Sequence, residues 1–581
     1  MTRRGKNAHS TTIAAEYDYI VVGAGSAGCA VAARLAEDLS VTVALLEVGP
    51  HDHHMTVWMP IGLAGTVRKP GPRNFAYHTE SQSGLHGRPS FQPRGRGLGG
   101  SSSINGMVYI RGHRNDYDEW ARLGCTGWGF DDVLPYFRRS ECNQRHAGSN
   151  ENPWHGGDGP LHVSDLRTPN PFSHRFVQAA QQAGFPLNAD FNGEEQEGAG
   201  LYQVTQYNGE RWNAARAYLH GGNAKDPGLN GGRPNLHVLT DAQALRVVIE
   251  DKRARGVSIV RAGVVQTLQA RREVVISCGA FNSPQLLMAS GVGPAEHLRS
   301  HGIDVIQHLP GVGENLQDHL DVIVNKQVKS TDLFGYSSRG FLRLASEMWR
   351  YRRNRSGMVA SNFAEAGAFV KSRPSLAIPD IQLVFVLALL GNSNMAKRSE
   401  LGHGYSCHAY VLRPESRGHV RLRSADMRDA PSIDPRFLSA EADLDTLVAG
   451  VRIVRRIFAQ QALAEAGGKE LLTDDFGPDD SNEDAIRAFV RSHADSVYHP
   501  VGTCQMGIDE MAVVDPQLRV RGIEGLRVAD ASIMPTLIGG NTNAPAIMIG
   551  EKAADLIRAA HRQTPASELN LRPAYAHDAQ T

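Results

Sequence analysis

A histidine near the C-terminus and the asparagines that follow it are residue types that could together handle the proton of a hydroxyl group. His499 lies in the segment YHPVGT (498–503), and Asn541 and Asn543 lie in GNTNAP (540–545). A neutral imidazole, whose ordinary pKa is ~6.5, can accept a hydroxyl proton. An amide can steady the resulting alkoxide, because it remains a hydrogen-bond donor at every pH. The combination fits the oxidation of an alcohol by hydride transfer.

Each of these residues also has a purely structural explanation. Asn543 could cap the helix that follows it by accepting a backbone N–H, and His499 could be a packed, hydrogen-bonded side chain. Pro545 falls in the first turn of that predicted helix, where its missing N–H costs nothing. The positive end of the helix would face whatever lies beside Asn543, and the ring of an anionic reduced flavin is one candidate.

Two other groups of histidines have the chemistry of metal ligands without a convincing ligand spacing. Residues 51–54 (HDHH) are consecutive in a loop and have no further ligands nearby in the sequence. His493 and His499 are six residues apart, whereas ligands on one helical face are four apart. We therefore predict no metal site.

The elements that could position this chemistry are clearest at the start of the chain. DYIVV (18–22) has the residues of a strand, and CAVAARL (29–35) those of a helix. Between them lies a turn with Gly23, Gly25 and Gly28, and a second strand, VTVALL (41–46), ends at Glu47, 19 residues after Gly28. The glycines permit a tight turn beside a pyrophosphate, and the acid can bind a ribose. This βαβ unit predicts a dinucleotide at the helix N-terminus.

A second glycine-rich segment, RGRGLGGSSSINGM (94–107), has two explanations. Runs of Gly and Ser are usually flexible surface loops. This run leads directly into the apolar residues 107–110, which favours an ordered segment whose amides and hydroxyls wrap part of a large cofactor. The spacing alone does not decide between the two.

Weaker patterns predict the remaining elements. Helices are predicted at residues 172–184, 285–288, 443–464 and 546–560. Strands are predicted at residues 236–250 and 420–423, and within the apolar run 381–390, which is interrupted by Gln382. Turn-rich sequences occupy 279–284 and 309–319, and solvated tails are predicted for residues 1–15 and from Gln563 onward.

Composition and charge exclude several classes of protein. The 581 residues include 61 Lys+Arg and 61 Asp+Glu, a balance that argues against a nucleic-acid partner. With 41% hydrophobic and 21% charged residues, the chain is typical of a globular protein. Six scattered cysteines without a C-x-x-C pair indicate a reducing compartment. No segment resembles an export signal or reaches the ~20 apolar residues of a membrane span, so we predict a cytoplasmic protein.

Four segments carry a resemblance to a known family. They are 95–109, 279–293 (which ends in SGVG), 499–503 and 540–545. Through them the chain resembles the glucose–methanol–choline (GMC) oxidoreductases, which contain FAD, over residues 16–562. Residues 207–221 (YNGERWNAARAYLHG) look like the subgroup of bacterial choline-dehydrogenase-like enzymes that act on aliphatic alcohols.

The resemblance implies roles residue by residue. His499 falls on the family's catalytic histidine, and Asn543, 44 residues later, falls on its His-or-Asn partner in preference to Asn541. Val497 and Tyr498 fall on substrate-pocket positions. Ile104 stands where covalently flavinylated members have a histidine, which implies dissociable, non-covalent FAD. Pattern and resemblance together imply these cofactor-binding residues: Gly23, Gly25, Ser26, Gly28, Glu47, Gly99, Gly100, Ser101, Asn105, Gly106, Met107, Val108, Ala244, Asp530, Ala531 and Thr542.

The implied fold class is α/β, with a Rossmann-like FAD-binding domain interleaved with an α+β substrate-binding domain built on an antiparallel sheet. The FAD-binding domain is expected at 16–165, 205–318 and 490–562, the last including the active-site segment. The substrate-binding domain is expected at 166–204 and 319–489. The implied reaction converts a primary alcohol to its aldehyde, with the proton passed to His499 and hydride passed to flavin N5.

The implied electron acceptor is a quinone or another non-oxygen acceptor, which would hold the protein loosely at the inner face of the cell membrane. The alternatives are an oxidase that releases hydrogen peroxide, a lyase or light-driven decarboxylase, and a flavin-binding protein without catalysis. The first βαβ unit alone would also fit a nicotinamide-dependent reductase. The implied substrate is a small-molecule alcohol. The resemblance favours aliphatic primary alcohols and leaves choline, polyethylene glycols and aryl alcohols open; choline would need an acidic or aromatic site for its ammonium group.

Overall fold

The computed structural model describes residues 15–220, 230–390, 402–471 and 480–562. Residues 1–14 of the predicted N-terminal tail (1–15) and the predicted tail from Gln563 onward lie outside these ranges. Within the described ranges, no helix is both long and apolar enough to cross a bilayer. All six cysteines are described and all are free thiols.

The strands alternate with helices in the N-terminal half and then dominate the middle of the chain. In chain order the described strands are β1 (Glu16–Val22), β2 (Val43–Leu46), β3 (Tyr77–His78), β4 (Phe91–Gln92), β5 (Glu141–Asn143), β6 (Leu161–Val163), β7 (Gly198–Leu201), β8 (Gln206–Tyr207), β9 (Glu210–Arg211), β10 (Leu236–Leu239), β11 (Ala242–Glu250), β12 (Arg253–Arg261), β13 (Val264–Ile276), β14 (Val292–Gly293), β15 (Gln307–His308), β16 (Leu320–Gln327), β17 (Ala364–Val370), β18 (Ile381–Val386), β19 (Gly404–Val411), β20 (His419–Arg421), β21 (Ser432–Asp434), β22 (Lys469–Leu471), β23 (Asp495–Ser496) and β24 (Leu526–Val528).

The described α-helices are α1 (Ser26–Leu35), α2 (Met55–Trp58), α3 (Leu63–Thr66), α4 (Arg114–Arg122), α5 (Phe130–Ser140), α6 (Pro171–Gln182), α7 (Ala214–Tyr218), α8 (Gly279–Ala289), α9 (Ala295–Ser300), α10 (Ser338–Asn354), α11 (Glu441–Phe458), α12 (Gln461–Ala464), α13 (Glu483–His493) and α14 (Asn543–Arg562). The helices predicted at 172–184, 443–464 and 546–560 correspond to α6, to α11 with α12, and to α14.

The first sheet contains the predicted βαβ unit. Its strands lie in the order β10-β2-β1-β13-β12-β11, and β24 also pairs with β13. β1 runs parallel to both β2 and β13, and from Tyr17 to Val22 every residue of β1 is buried. A parallel strand buried on both faces reads as a continuous apolar run, which is the pattern of residues 19–22. α1 packs against both β1 and α14.

The second sheet is antiparallel, with the strand order β22-β16-β19-β18-β17-β7, and β23 pairs with β16. Successive side chains of a strand point to opposite faces, and the two faces here have different neighbours. One face, which includes Val322, Leu383 and Ala409, belongs to a core covered by α6 and α11. The other, which includes Ile323 and Val384, lines a cavity. The observed architecture confirms the predicted fold class, whereas the domain boundaries stay a prediction.

α8 begins earlier than its sequence predicts. The segment 279–284 reads as a turn because it contains Gly279 and Pro284, yet both residues are helical. Pro284 has no N–H to give to the carbonyl of Ala280, and the hydroxyl of Thr503 donates to that carbonyl instead, at 2.6 Å. Asp530 accepts hydrogen bonds from the N–H of Gly279 and the hydroxyl of Ser283. Two distant segments therefore complete this helix start.

Candidate active site

The predicted glycine turn lies between β1 and α1, at the carboxyl end of the parallel strands. Gly23 has a φ of +100°, and a Cβ on Gly28 would lie 1.9 Å from the carbonyl oxygen of Gly23. Glycine is required at both positions, because the first is in the left-handed region and the second has no room for a side chain. The turn brings the start of α1, including Ser26, to the wall of the cavity.

Glu47 ends the second strand segment as predicted and is buried. Its carboxylate accepts hydrogen bonds from the N–H groups of Ala24 (3.0 Å), Gly49 (2.9 Å) and Gly97 (2.9 Å). Burial raises the pKa of this carboxyl. An ionised carboxylate has about four acceptor sites, so Glu47, which also lines the cavity, retains capacity for a ribose hydroxyl.

The second glycine-rich segment is ordered and packs on the first. The N–H of Gly99 donates to the carbonyl of Ala24 at 2.8 Å. A Cβ on Gly100 would lie 2.7 Å from the Cα of Gly25, so the two glycine turns touch through their backbones. Residues Gly100–Ser103 form a short 3₁₀ helix. Of the two explanations for this segment, the ordered one is therefore correct.

A cavity of about 1730 Å³ extends from these glycine segments to His499. Pockets for drug-sized ligands measure about 300–1,000 Å³, so this volume suits a dinucleotide such as FAD. Gly28 and Gly99 do not line this cavity, and both are closely packed: a Cβ on Gly99 would lie 2.4 Å from Ser103 Oγ. The other predicted cofactor-binding residues all line the cavity: Gly23, Gly25, Ser26, Glu47, Gly100, Ser101, Asn105, Gly106, Met107, Val108, Ala244, Asp530, Ala531 and Thr542.

Two helix N-termini meet at this cavity. α14 begins at Asn543, and Pro545 lies in its first turn as the sequence predicts. The Oδ1 atom of Asn543 accepts a hydrogen bond of 2.7 Å from the hydroxyl of Ser26 at the start of α1. Because helix N-termini attract negative charge, this junction suits the anionic parts of a dinucleotide.

The His499 ring faces the cavity and is held by hydrogen bonds at both nitrogens. Its Nδ1 lies 3.0 Å from Nδ1 of His319, and its Nε2 lies 3.2 Å from Nδ2 of Asn541. The His499 backbone N–H donates to Asp318 at 2.7 Å. His319 and Asp318 are both buried, so the residue is anchored through its backbone and its ring by one short segment.

The hydrogen bonds of His319 determine the tautomer of His499. Nε2 of His319 lies 3.0 Å from the carbonyl oxygen of Leu412, which can only accept, so this nitrogen carries the proton. Burial lowers the pKa of His319 to about 4, so the ring is neutral and its Nδ1 accepts. Nδ1 of His499 must therefore donate, and its Nε2 is left with a lone pair that faces the cavity.

Asn541 is oriented by a residue of the second sheet. Gln382, on β18, donates a hydrogen bond from Nε2 to Oδ1 of Asn541 at 3.2 Å. This contact turns the Nδ2 group of Asn541 toward His499. Gln382 is the polar residue that interrupts the predicted apolar run, and it lies on the cavity side of the strand.

The pairing of His499 with an asparagine differs from the sequence prediction by two residues. The prediction chose Asn543, whereas in the structure the amide beside His499 is that of Asn541. The physical reason is that α14 starts at Asn543, whose side chain turns toward the N-terminus of α1 and Ser26. A count of residues from His499 does not show where the helix begins.

The surroundings of His499 lower its basicity. Burial, and then the neighbouring His319 and Arg94, hold the pKa of His499 well below its ordinary value. Arg94 also donates to the carbonyl of Tyr498 at 2.6 Å, and burial lowers the pKa of Arg94 to about 10. Burial raises the pKa of Asp318, which accepts the His499 backbone N–H, to about 6. The ring is therefore neutral at physiological pH and able to accept a proton.

The predicted substrate residues Val497 and Tyr498 line the cavity beside His499. Tyr498 has a φ of +71°, which is unusual for a residue other than glycine and marks a constrained turn. Opposite them, the second sheet contributes both apolar and polar side chains. Sequence reasoning missed several residues of this region: His319, Asp321, Gln382, His408 and Tyr410. The alternation of β16, β18 and β19 could have indicated them.

One histidine cluster is larger than the sequence suggested. His220, at the end of the α7 segment, donates a hydrogen bond of 2.9 Å from Nε2 to the carboxylate of Asp52. The candidate ligand atoms of Asp52, His53 and His220 lie within 4.8 Å of one another. Asp52 also accepts a hydrogen bond from Asn213 at 3.3 Å, which ties the cluster into the protein's own network. No ligand role is assigned to these residues.

Comparison with known proteins agrees with this geometry. Residues 17–321 and 414–550 match the two models of the GMC oxidoreductase family. The alcohol dehydrogenase (acceptor) of Pseudomonas putida is 46% identical over 547 residues, 93% of this chain and 95% of that protein. The mitochondrial choline dehydrogenase of Homo sapiens is 44% identical, over 94% of this chain and 90% of that protein. The crystal structure of formate oxidase has a TM-score of 0.84 at 28% identity, with 94% of this chain and 99% of that chain covered.

The matched segments include the glycine turns, Glu47 and the His499 region. The cavity has the size, the acid and the paired helix N-termini that FAD requires. The buried Ile104 beside it has no atom that could form a covalent bond to a flavin. The chain belongs to the GMC oxidoreductase family and is an FAD-dependent enzyme that acts on CH–OH groups.

Proposed function

We propose that this enzyme oxidises a primary alcohol to its aldehyde, with His499 as the base and Asn541 as the alkoxide-stabilising amide. The 3.2 Å contact between His499 Nε2 and Asn541 Nδ2 carries the proposal. A substrate hydroxyl would replace Asn541 as the donor to Nε2, and the amide would then donate to the substrate oxygen. When bound, FAD supplies the acceptor for the two electrons and the hydrogen that leave the alcohol carbon.

We propose that the cavity-lining residues of the two glycine segments hold this cofactor. Glu47 would bind the ribose, and the N-termini of α1 and α14 would bind the anionic parts. In this arrangement Asn543 supports the cofactor cradle through Ser26. For the proposed FAD-binding domain we keep the predicted ranges 16–165, 205–318 and 490–562. Within the last of these ranges, the short strand Asp495–Ser496 pairs with β16 of the second sheet.

The role of His319 as a positioning residue leads to a paired prediction. His319→Asn keeps an acceptor oxygen near the position of Nδ1, whereas His319→Gln places its amide near the position of Nε2. Because the acceptor fixes the His499 tautomer, we expect kcat to fall by roughly 10–100-fold in His319→Gln and clearly less in His319→Asn. Anaerobic stopped-flow reduction of the flavin measures this, with FAD content as the control. Equal losses in both variants would show that His319 only fills space.

The two acids near His499 give no support to choline over a neutral alcohol, whereas aromatic rings that could hold an ammonium group, such as Tyr410 and Phe363, do line the cavity. The carboxylate of Asp321 is hydrogen-bonded to Nδ1 of His408, and Asp495 accepts a hydrogen bond from Ser90, so both acids already have partners. Ile323, with Val384 and Val386, offers an apolar surface to an aliphatic chain. A panel of alcohols with an artificial electron acceptor tests the reaction itself. Turnover with none of the alcohols would refute the proposed function.

The contact between Asp321 and His408 predicts a change of specificity. In His408→Leu the carboxylate of Asp321 loses its partner and becomes available to an ammonium group. We expect kcat/KM for choline relative to 1-butanol to rise roughly tenfold, which corresponds to a charge attraction of about 1.4 kcal/mol. Steady-state kinetics with both alcohols measure this. An unchanged ratio would mean that the ammonium binds away from Asp321.

The electron acceptor is proposed to be a quinone or another non-oxygen acceptor. The names of the Pseudomonas putida and human relatives, both dehydrogenases, support this part of the proposal. An oxidase is the second candidate, because formate oxidase and pyridoxine 4-oxidase share the fold. Peroxide formation measured against quinone reduction with one alcohol separates the two. The six free cysteines support a reducing, cytoplasmic compartment.

A further inference from the structure

Helix α10 presents an apolar surface to solvent. Its side chains at spacings i, i+1, i+4, i+7 and i+8 lie on one side of the helix, where a helix in a globular protein usually contacts the core. The exposed fractions are 61% for Phe341, 75% for Leu342, 40% for Met348 and 64% for Trp349, and Ala345 is also exposed. We call this set the apolar stripe: Phe341, Leu342, Ala345, Met348 and Trp349.

The opposite side of α10 already holds the helix to the protein. Tyr351 is 2% exposed and packs with Val359, and Leu344 is packed against the same cluster. The hydroxyl of Tyr351 donates to the carbonyl of Gly209 at 3.1 Å. The apolar stripe is therefore not needed for attachment, and its ring contacts are those of Phe341 with Tyr336 and of Trp349 with Arg353.

The same helix is strongly basic although the whole chain has a formal net charge of +0. Its 17 residues contain five arginines and one acid, Glu347. Arg343 is paired with Asp332, and Arg350 lies 3.7 Å from Glu347. The guanidinium of Arg353 lies 5.4 Å from the centre of the Trp349 ring, so positive charge directly adjoins the apolar stripe. Three arginines have no ion pair with any described residue: Arg339, Arg352 and Arg353.

α10 lies at one wall of the catalytic cavity. Tyr336, just before the helix and 64% exposed, lines this cavity together with Phe341. The segment 67–70, which contains Arg68 and Lys69, lines it as well. The apolar stripe therefore starts where the cavity that leads to His499 is bordered by basic residues.

We infer that α10 lies in the surface of an anionic lipid bilayer, with the apolar stripe at the boundary of head groups and acyl chains and the arginines at the phosphates. Helices that bind membranes in this way combine an apolar face with Lys or Arg on the polar side. Tryptophan is the residue typical of that boundary. A second copy of the chain suits the surface less well, because two such helices face to face would bring their arginines together.

Docking of α10 would hold one border of the cavity against the membrane, where apolar alcohols and a quinone are concentrated. The benefit of docking for access to alcohols and a quinone rests on the proposed function, whereas the docking of α10 itself does not. The two can therefore be measured separately. Vesicle binding reports the docking, and oxidation of a water-soluble alcohol with a dye in the absence of lipid reports the chemistry.

The experiment uses the FAD-loaded enzyme and sedimentation with two kinds of vesicle. One kind contains phosphatidylcholine with phosphatidylglycerol, and the other contains phosphatidylcholine alone. We expect binding to the anionic vesicles only, and a decrease as salt is added. The double variant Leu342→Gln/Trp349→Gln should bind at least roughly tenfold more weakly. It should keep its lipid-free activity, because neither side chain lines the cavity.

A matched control comes from the hairpin between β12 and β13. Val264 and Val265 are each 63% exposed and lie outside the basic helix. The double variant Val264→Gln/Val265→Gln should bind anionic vesicles like the unaltered enzyme. Charge reversal by Arg352→Glu/Arg353→Glu should also weaken binding.

Three results would overturn the inference. The first is that the unaltered enzyme does not bind anionic vesicles. The second is that the α10 variant and the hairpin variant lose binding equally. The third is a dimer that Leu342→Gln/Trp349→Gln dissociates without any vesicle binding, which would make a second copy of the chain the occupant. Loss of dye reduction with all alcohols would instead contradict the proposed function and leave vesicle binding to be judged by itself.

Discussion

Replacing His499 with alanine will slow the reduction of the flavin by alcohol about 10²–10⁴-fold while FAD remains bound. General-base catalysis by a positioned side chain contributes about that factor. Nε2 of His499 carries the lone pair that faces the cavity, and its hydrogen-bond partner is Nδ2 of Asn541, at 3.2 Å. Anaerobic stopped-flow bleaching of the flavin measures the rate. The visible spectrum of the purified variant measures the bound FAD.

The pH profile provides a second readout of the same substitution. Burial, with His319 and Arg94, holds the pKa of His499 well below its usual range, and only the neutral ring can accept a proton. We therefore expect kcat/KM of the unaltered enzyme to be constant near neutral pH and to fall only well below the ordinary histidine pKa of ~6.5. In His499→Ala this acidic limb should disappear. A near-normal rate, or an unchanged acidic limb, would remove His499 from the role of base.

Replacing Asn541 with alanine will lower kcat about 10²–10³-fold, because it removes a donor aimed at the developing negative charge. Asn543→Ala is the matched comparison, since it removes the same amide two residues away. Its side chain contacts Ser26 rather than His499, so we expect weaker FAD binding and a much smaller loss of kcat at saturating FAD. Rates and FAD dissociation constants of both variants decide between the two asparagines. A large loss of kcat in Asn543→Ala with a small loss in Asn541→Ala would instead identify Asn543, as the sequence predicted, as the partner of His499.

A charge substitution at the same position sharpens this test. Asn541→Asp places a carboxylate beside the His499 ring, and a nearby negative charge stabilises the protonated imidazole. The pKa of His499 should rise, and the acidic limb of kcat/KM should move to higher pH. Asn543→Asp should leave the position of that limb nearly unchanged. Equal shifts in both variants would mean that neither asparagine is specifically paired with the histidine.

The dinucleotide-binding unit was predictable because its parts are neighbours in the sequence. The strand, the glycine turn, the helix and Glu47 all fall within residues 16–47, so each spacing along the chain is also a spacing in space. Gly23 and Gly28 have conformational and steric reasons to be glycine that act within this one unit. Local chemistry therefore predicted the fold of this region and the kind of ligand that we propose for it.

The partners of His499 were not predictable in the same way. The ring contacts His319 and Asn541, and Asn541 is turned by Gln382, so the arrangement joins four segments far apart in the sequence. Gln382 looked like an interruption of an apolar strand, and its reason to be polar is visible only from the cavity side of the sheet. The sequence pattern also left the second glycine segment undecided, until its contact with the first showed that it is ordered.

His499 and the asparagines near residue 540 were recognisable as possible proton-handling groups from their types alone. Residue types establish which atoms can accept or donate, and this much the sequence determined. Which asparagine faces the ring depends on where α14 begins, and which ring nitrogen is free depends on the carbonyl of Leu412 behind His319. Those two facts belong to the packing of distant segments, and only the tertiary structure decided them.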